Sequence, residues 1–187
     1  MCENDEIIIY IAADVGAVRE QRLADCLEDY VKRNKLVFPS PVEVVRDPSR
    51  KPRANFKEIQ FSVSHSGGIW VCGVSGRPLG VDVEQCRENC MAERIARRFF
   101  HPEEYRYLER LNFSTKAFFS LWTAKESYVK YTGEGISDLY SSFSSVEAGK
   151  LAGEINGIKY RHFPIKEGYS FCVSSKAARP VTFVSWE

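Results

Sequence analysis

The stretch IQFSVSHSGGIWVCGVSGRPLGVDVE, residues 59–84, decides how this chain folds. Runs of β-branched and aromatic residues are interrupted by the turns HSGG and SGRP, a pattern that predicts strand, turn, strand, turn, strand. In the third strand, successive side chains point to opposite faces of the sheet. Val81 and Val83 are therefore expected in the core, and Asp82 and Glu84 point together from the other face.

This pair of carboxylates is the first chemical feature of the chain. Two like charges side by side repel each other unless a cation lies between them, and Mg²⁺ prefers carboxylate oxygen. Asp82 and Glu84 therefore suit a divalent cation. The competing interpretation is a solvent-facing edge strand on which both acids are simply hydrated.

The segments on either side alternate between strand and helix patterns. Strands are predicted over 6–14 and 42–45 and over several short C-terminal runs. Amphipathic helices are predicted over 17–36, 91–100, 102–111 and 114–135. The last helix is the strongest, with Ser114 or Thr115 to cap it and Gly133 to end it. Residues 46–55, rich in proline and arginine, are predicted as a loop.

The strongest helix places polar groups on one face. Trp122, Glu126 and Lys130 are spaced by four residues, so they share a side of the helix. A carboxylate one turn from an ammonium suits a site that holds Mg²⁺ and phosphate. The alternative is an ordinary surface pair, which stabilises a helix by about 0.3–0.5 kcal/mol.

A third feature is a cluster of basic residues before the first turn. The run RDPSRKPRANFK, residues 46–57, holds five lysines and arginines against one acid. Ser64 and His65 follow closely, at a glycine turn whose backbone N–H groups are free to bind an anion. Phosphate binding is the favoured interpretation, and a hydrated loop followed by a serine-stabilised turn is the alternative.

Composition bounds the class of protein. The 187 residues are 44% hydrophobic with a formal net charge of +1, which fits one domain or two small lobes and argues against a global attraction to nucleic acid. The first residues lack a basic segment, and their apolar run is too short for a signal peptide or a membrane span. We therefore expect a cytoplasmic protein that binds neither membranes nor nucleic acid.

The six cysteines are scattered and include no CxxC motif. Cys72 and Cys172 lie in apolar strand patterns and are expected in the core. Cys86 and Cys90 could share a helical face as a metal or disulfide pair, but cytosolic thiols stay reduced, so this is the weaker interpretation.

Two parts of the chain resemble each other faintly. Residues 68–84 align with residues 168–187 so that Gly, Cys, Arg-Pro and the final Glu coincide. Either two hairpins are similar by chance, or the chain has two related lobes with a site in the cleft between them.

Four motifs taken together resemble the 4′-phosphopantetheinyl transferases of the surfactin-synthetase-activating type. They are FSVSHSGG, LGVDVE, IARRFFHPEEY and FFSLWTAKESYVKYTGEGI, in this order and at close to the expected intervals. The resemblance extends from about residue 46 to residue 136. The position of GVDVE argues against the short, trimeric holo-acyl-carrier-protein synthase type, in which the corresponding Asp lies near the N-terminus.

The resemblance implies a transfer reaction. A serine hydroxyl of an apo acyl or peptidyl carrier protein would attack the β-phosphate of coenzyme A, and adenosine 3′,5′-bisphosphate would leave. Asp82, Glu84 and Glu126 would bind Mg²⁺. Glu126, or a water molecule on the metal, would accept the serine proton, and Lys130 would hold a phosphate, so Glu126 and Lys130 are the implied catalytic pair. The residues implied to bind coenzyme A are Arg46, Lys51, Ser64, His65, Lys125 and Lys130.

The chain also departs from the family pattern. The segment before SHS is short, so that only Arg19 and Arg22 are candidates for the basic N-terminal region, and Arg50 replaces the usual glycine before Lys-Pro. Arginines on the helix after GVDVE would suit an acidic carrier helix, although i,i+4 pairing with Glu93 explains them equally well. These arginines are Arg94, Arg97 and Arg98.

The predicted fold is α+β, the 4′-phosphopantetheinyl transferase fold, in a monomer. It has two similar lobes, residues 1–84 and 85–187, related by a pseudo-twofold axis, each a small antiparallel sheet packed on helix. Two other functions stay open. One is a metal-dependent nuclease or phosphatase, which the absence of an E-x-K pattern after Glu84 disfavours. The other is a non-catalytic protein that binds carriers or nucleotides.

Overall fold

The computed structural model describes residues 6–47, 50–88, 91–134 and 138–186. Cys90, and with it the suggested pair with Cys86, lies outside the described residues. The helices are α1 (Arg19–Arg33), α2 (Ala92–Phe99), α3 (Pro102–Arg110) and α4 (Thr115–Thr132), with short 3-10 helices at Gly16–Val18 and Asp138–Ser141. The strands are β1 (Ile7–Ala13), β2 (Val44–Asp47), β3 (Arg50–Ala54), β4 (Gln60–Ser66), β5 (Ile69–Ser75), β6 (Gly80–Gln85), β7 (Val146–Glu147), β8 (Lys150–Leu151), β9 (Glu154–Ile155), β10 (Ile158–His162), β11 (Tyr169–Ser175) and β12 (Val181–Ser185).

Two four-stranded sheets form the framework. The first has the order β12-β1-β5-β4 and the second β6-β11-β10-β9, while β2-β3 and β7-β8 are separate hairpins. The second sheet is antiparallel throughout. In the first sheet β1 pairs antiparallel with β5 but parallel with β12, so that Ile9 lies opposite Phe183.

The sheets pack face to face and a helix covers each outer face. Apolar side chains of β1, β5, β6 and β11 meet between the sheets, among them Ile9, Val71, Val83 and Phe171. On the other face of the first sheet, α1 packs against β5 through residues such as Leu27. The period-two alternation of the strands supplies both faces, because Ile7 and Ile9 point inward between the sheets and Ile8 and Tyr10 point toward α1.

The longest helix, α4, covers the outer face of the second sheet. Leu121 and Ala124 are fully buried there against Cys172 of β11. The side chain of Ser114 caps the helix by accepting a hydrogen bond from the Ala117 N–H, and Gly133 ends it at φ +77°. Both ends agree with the sequence prediction.

The α+β fold class is confirmed, and two details differ from the prediction. The stretch expected as a loop forms the β2–β3 hairpin, and the first sheet is mixed rather than antiparallel. The predicted boundary between lobes after residue 84 stays a prediction. Two similar lobes related by a pseudo-twofold axis stay a prediction.

The internal resemblance coincides with two crossings between the sheets. β5 leaves the first sheet and continues into β6 of the second, and β11 leaves the second sheet and continues into β12 of the first. Both connections contain Arg-Pro. The buried Arg179 joins them, since its guanidinium donates to Ser75 Oγ and to the Pro78 carbonyl. Among the residues described, no helix is long and apolar enough to cross a membrane.

Candidate active site

Asp82 lies at the centre of the candidate site. Its neighbours Val81 and Val83 are buried between the sheets, as the alternation predicts, and its own side chain points to the α4 side. The residue is only 2% exposed, which contradicts a hydrated edge strand at this position. Its Oδ1 accepts hydrogen bonds from Lys130 Nζ at 2.7 Å and from Ser64 Oγ at 2.8 Å.

The second oxygen of this carboxylate fits a cation. Asp82 Oδ2 is buried and has no hydrogen-bond partner among the described residues. Burial raises the pKa of Asp82 to about 7; the ammonium of Lys130 opposes this rise and the charge of Glu126 adds to it. A carboxylate held in this way suits a hard divalent cation, because such an ion would satisfy the free oxygen and favour the charged form.

Glu126 comes from α4 and lies beside Asp82. It is 7% exposed and borders the cleft described below, and its Oε1 accepts a hydrogen bond from the hydroxyl of Tyr140. Trp122, on the same helix face, stacks on Tyr140 with ring centroids 5.8 Å apart. Burial, and then the charge of Glu126, raises the pKa of Tyr140 well above its ordinary value, so the hydroxyl remains a donor.

Glu84 lies one step further along β6 and is half-buried. Its Oε2 accepts a hydrogen bond from Ser66 Oγ at 2.7 Å, and the backbone N–H of Gln85 donates to the same hydroxyl. The serines at every second position of β4, which is the edge strand of the first sheet, thus bond to β6 of the second sheet.

The three predicted metal ligands lie in the same region, but they are not close enough together to coordinate one metal ion. The charges of Asp82, Glu84 and Glu126 all act on the hydroxyl of Tyr140. In the described ranges, however, no three carboxylate, imidazole or thiolate groups lie close enough together to hold a metal ion. The ammonium of Lys130 instead contacts Asp82.

A cleft of about 420 Å³ opens next to this group. Its basic wall carries Arg19, Arg46, Lys51, His65 and Lys130. Its apolar wall includes Leu23, Phe61, Trp70 and Val129. The cleft can therefore take a ligand with an anionic part and a planar or apolar part.

Lys51 borders the cleft at the end of α4. Its Nζ donates to the backbone carbonyls of Lys130 at 2.8 Å and Leu79 at 3.1 Å. Burial, aided by the charge of Lys130, lowers the pKa of Lys51 to about 8. The ammonium thus joins β3, α4 and the residue before β6 at the border of the cleft.

The remaining basic residues at the cleft are paired with acids. Arg46 binds both carboxylate oxygens of Glu20 at 2.5 and 2.6 Å. Arg19 binds Asp14 and lies 3.4 Å from Nδ1 of His65. These three predicted or candidate ligands, Arg19, Arg46 and His65, are brought to one side of the cleft.

Two predicted coenzyme A contacts take other positions. Ser64 is buried, and its hydroxyl joins Asp82 and Lys130. Lys125 was predicted to line the cleft with the coenzyme A contacts. It does not, because its side chain is fully buried on the other side of α4. There its Nζ binds Glu104 at 2.7 Å and the Phe143 carbonyl at 2.9 Å.

Sequence reasoning missed Tyr140 and Glu104. The sequence before Tyr140 contains two glycines, Gly133 and Gly135, and has no periodic pattern, so the spacing of Tyr140 from Glu126 carries no signal. Glu104 was recognised only as part of a helix start, in HPEEY, and a buried partner for it is a tertiary feature.

The sequence profile of the 4′-phosphopantetheinyl transferase superfamily matches residues 78–184, which include β6, α4 and β11. The chain belongs to the 4′-phosphopantetheinyl transferase superfamily. The matched residues include Asp82, Glu84, Glu126 and Lys130. Most residues that line the cleft, including those from α1 and β2–β4, lie before the matched part.

Curated members of the superfamily are similar over parts of the chain. The chain is 41% identical over 95 residues to the 4′-phosphopantetheinyl transferase gsp of Aneurinibacillus migulanus, an alignment that covers 50% of this chain and 39% of gsp. It is 43% identical over 82 residues to HetI of Nostoc, covering 42% of this chain and 35% of HetI. To Sfp of Bacillus subtilis it is 31% identical over 143 residues, covering 70% of this chain and 62% of Sfp.

These relatives confirm the predicted resemblance to the surfactin-synthetase-activating type. In each of the three relatives the matched part is less than two thirds of the length, and only about two fifths in gsp and HetI. The family profile itself covers the part of this chain that carries Asp82 and Glu126.

Proposed function

We propose that this protein transfers the 4′-phosphopantetheine arm of coenzyme A to a serine of an apo acyl or peptidyl carrier protein in an Mg²⁺-dependent reaction. The observation that carries the proposal is the contact of Lys130 Nζ with Asp82 and Ser64 beside Glu126, at the edge of a basic cleft. The same residues occupy the motif positions that identified the family.

The cleft would bind the charged part of coenzyme A. Phosphoryl transfer requires mainly positioning and neutralisation of charge, and cationic side chains at one wall supply both. Lys130 is closest to the carboxylates and its side chain is 28% exposed, so its ammonium can contact a pyrophosphate oxygen. Arg46 and His65, at 52% and 48% exposure, can contact phosphates further along the cleft.

Asp82, Glu84 and Glu126 would hold the metal ion. Bound Mg²⁺ supplies neutralisation of the pyrophosphate charge and stabilisation of the leaving phosphate. The observation that fits such an ion is Asp82 Oδ2, which is buried and has no hydrogen-bond partner in the part of the chain that the structure describes.

Glu126 would act on the carrier serine. Its carboxylate takes the proton of the serine hydroxyl while the serine oxygen forms a bond to the β-phosphorus of coenzyme A. The bond from that phosphorus to the bridging oxygen breaks, and adenosine 3′,5′-bisphosphate leaves with the electron pair. The partial burial of Glu126 at the cleft keeps water away from this proton transfer.

A second surface is available to the carrier protein. Arg94, Arg97 and Arg98 are exposed on α2. Arg97 pairs with Glu93 at 2.6 Å and contacts the hydroxyl of Tyr105, which agrees with the alternative of i,i+4 pairing for this residue. Arg94 and Arg98 are then the better candidates for steering an acidic carrier helix. Because one chain provides all the candidate groups, a monomer suffices for the reaction.

The test is incubation of the protein with coenzyme A, Mg²⁺ and an apo carrier protein, read by intact-protein mass spectrometry. We expect the carrier to gain one phosphopantetheine group on its serine. Glu126→Gln should lower the rate by about a hundredfold or more, because it removes both the base and a metal ligand. The matched control is Glu109→Gln, which changes an exposed glutamate of α3 and should transfer at the original rate.

Other outcomes would overturn the proposal. Hydrolysis of coenzyme A or of another phosphodiester without carrier modification would indicate a metal-dependent nuclease or phosphatase. Binding of the carrier without any mass gain, unchanged in Glu126→Gln, would indicate a non-catalytic carrier-binding protein.

A further inference from the structure

We infer that Tyr140 is a positioning residue of this site, whose hydroxyl holds one oxygen of Glu126 so that the other oxygen serves the cleft. The inference rests on the proposed function for its role in transfer, and on the contact of Tyr140 with Glu126 for its geometry. Tyr140 lies outside every motif by which the family was recognised.

The hydroxyl of Tyr140 bonds to Glu126 from within a hydrophobic cluster. The residue is 4% exposed, and its O–H donates to Glu126 Oε1. A carboxylate has two oxygens and rotates about its last side-chain bond unless one oxygen is fixed. Glu126 borders the cleft. A hydrogen bond to Oε1 therefore restricts this rotation and leaves Oε2 to serve a cation or a proton.

The ring that carries this hydroxyl is itself held firmly. It stacks on Trp122 of α4 at an interplanar angle of 26°, and it lies 5.7 Å from the ammonium of Lys125. Lys125 is fixed in turn by the fully buried carboxylate of Glu104 at the start of α3. The donor position is thus set by α3 and α4 together, and Glu126 is the residue of α4 next to Lys125.

This arrangement differs from a hydrogen bond that only stabilises the fold. The acceptor is a carboxylate at a cleft rather than a backbone carbonyl in the core. Tyr10 offers the comparison, because it packs in the core between α1 and the first sheet and its hydroxyl donates to a carboxylate oxygen of the half-buried Asp29 at 2.8 Å. Asp29 does not border the cleft.

The test compares Tyr140→Phe with Tyr10→Phe. Each variant removes one buried hydroxyl and keeps the ring. Mn²⁺ binding is measured by electron paramagnetic resonance in the presence of coenzyme A, and transfer to the apo carrier gives kcat and the KM for coenzyme A. We expect Tyr140→Phe to weaken Mn²⁺ binding and lower kcat by about tenfold to a hundredfold, the usual effect of losing a group that orients a metal ligand. The KM for coenzyme A should change less than kcat.

The control and a second variant keep the inference open to refutation. Tyr10→Phe should bind Mn²⁺ and transfer like the original protein, whatever its melting temperature. In a Glu126→Gln background, removal of the Tyr140 hydroxyl should have no further effect on Mn²⁺ affinity, because the oriented carboxylate is already gone.

Two results would overturn the inference. One is unchanged Mn²⁺ affinity and kcat in Tyr140→Phe; the other is an equal loss of Mn²⁺ affinity in the Glu126→Gln background. A protein that transfers nothing would refute the proposed function alone, since the Mn²⁺ measurements test Tyr140 without any transfer.

Discussion

At the scale of single residues, burial decides which charged side chains can act on a ligand. Lys125 and Lys130 lie five positions apart on α4 and have opposite surroundings. Lys125 is fully buried against Glu104, whereas Lys130 is 28% exposed and contacts Asp82 at the cleft. The helical period places Lys130 on the face of Glu126 and Lys125 on another face, and this difference separates a structural lysine from a candidate catalytic one.

Lys51 gives a prediction for the pH dependence of stability. Its pKa of about 8 in the folded protein lies below the ordinary value of 10.5. The stabilising contribution of Lys51 is therefore fully present above pH 10.5 and is lost as the pH falls through 8. Between pH 7 and 10 the free energy of unfolding of the original protein should rise relative to Lys51→Met by about 2–3 kcal/mol.

The measurement is urea unfolding of both proteins at several pH values. Lys57→Met is the matched control, because Lys57 is exposed, and its difference from the original protein should not vary with pH. A constant difference between Lys51→Met and the original protein would show that the ammonium of Lys51 is hydrated in the folded state.

At the scale of elements, the site depends on the close approach of α4 to β6. Gly80 begins β6, and a Cβ atom there would lie 1.9 Å from the carbonyl oxygen of Ser127 and 2.6 Å from the backbone nitrogen of Tyr131. Only glycine allows the strand to pass the helix at this distance. The approach brings Asp82 within hydrogen-bond distance of Lys130.

Gly80→Ala should therefore separate α4 from β6. We expect a loss of about 3 kcal/mol or more in the free energy of unfolding, because two backbone atoms must move. Transfer activity should fall as well, since Asp82 and Lys130 would move apart. The matched control is Gly16→Ala, where a Cβ atom meets nothing within 4 Å. Similar urea midpoints for the two variants would contradict the proposed importance of this contact.

Local patterns predicted some elements and failed for others. The helix α4 was predicted with its cap and its end because hydrophobic period, Ser114 and Gly133 are all local signals. Local patterns predict a loop in place of the β2–β3 hairpin, because Pro52 and the basic residues around it obscure the strand pattern. The family resemblance assigns Asp82 and Lys130 to one site but predicts no contact between them, and spacing alone gives no distance between a strand and a helix 48 residues apart.

At the scale of the whole molecule, β12 ties the end of the described chain to its beginning. It extends the first sheet by pairing with β1, and Trp186 beyond it packs edge-to-face on Tyr10 with ring centroids 5.4 Å apart. The sequence of residues 181–185 does not indicate that they pair with β1 rather than with β11. Their parallel pairing was for the same reason absent from the prediction.

Removal of residues 181–187 should weaken the first sheet as a whole. The truncated chain leaves β1 as an exposed edge and uncovers apolar groups that Val184 and Trp186 now cover. We expect a loss of cooperative unfolding, or a free energy of unfolding lower by about 4 kcal/mol or more. Circular dichroism during urea titration measures this, with the single substitution Val37→Ala at a 92% exposed position as control. A truncated chain with the original midpoint would show that the first sheet is stable without β12.

The pairing of β1 with β12 also has a consequence for synthesis in the cell. β1 is made about 170 residues before its neighbour β12, so this contact joins parts of the sequence that are far apart. Until then, the growing polypeptide carries a hydrophobic strand with one open side, a state in which nascent chains associate with each other or with chaperones. Translation speed and chaperone supply should therefore affect the soluble yield of this protein.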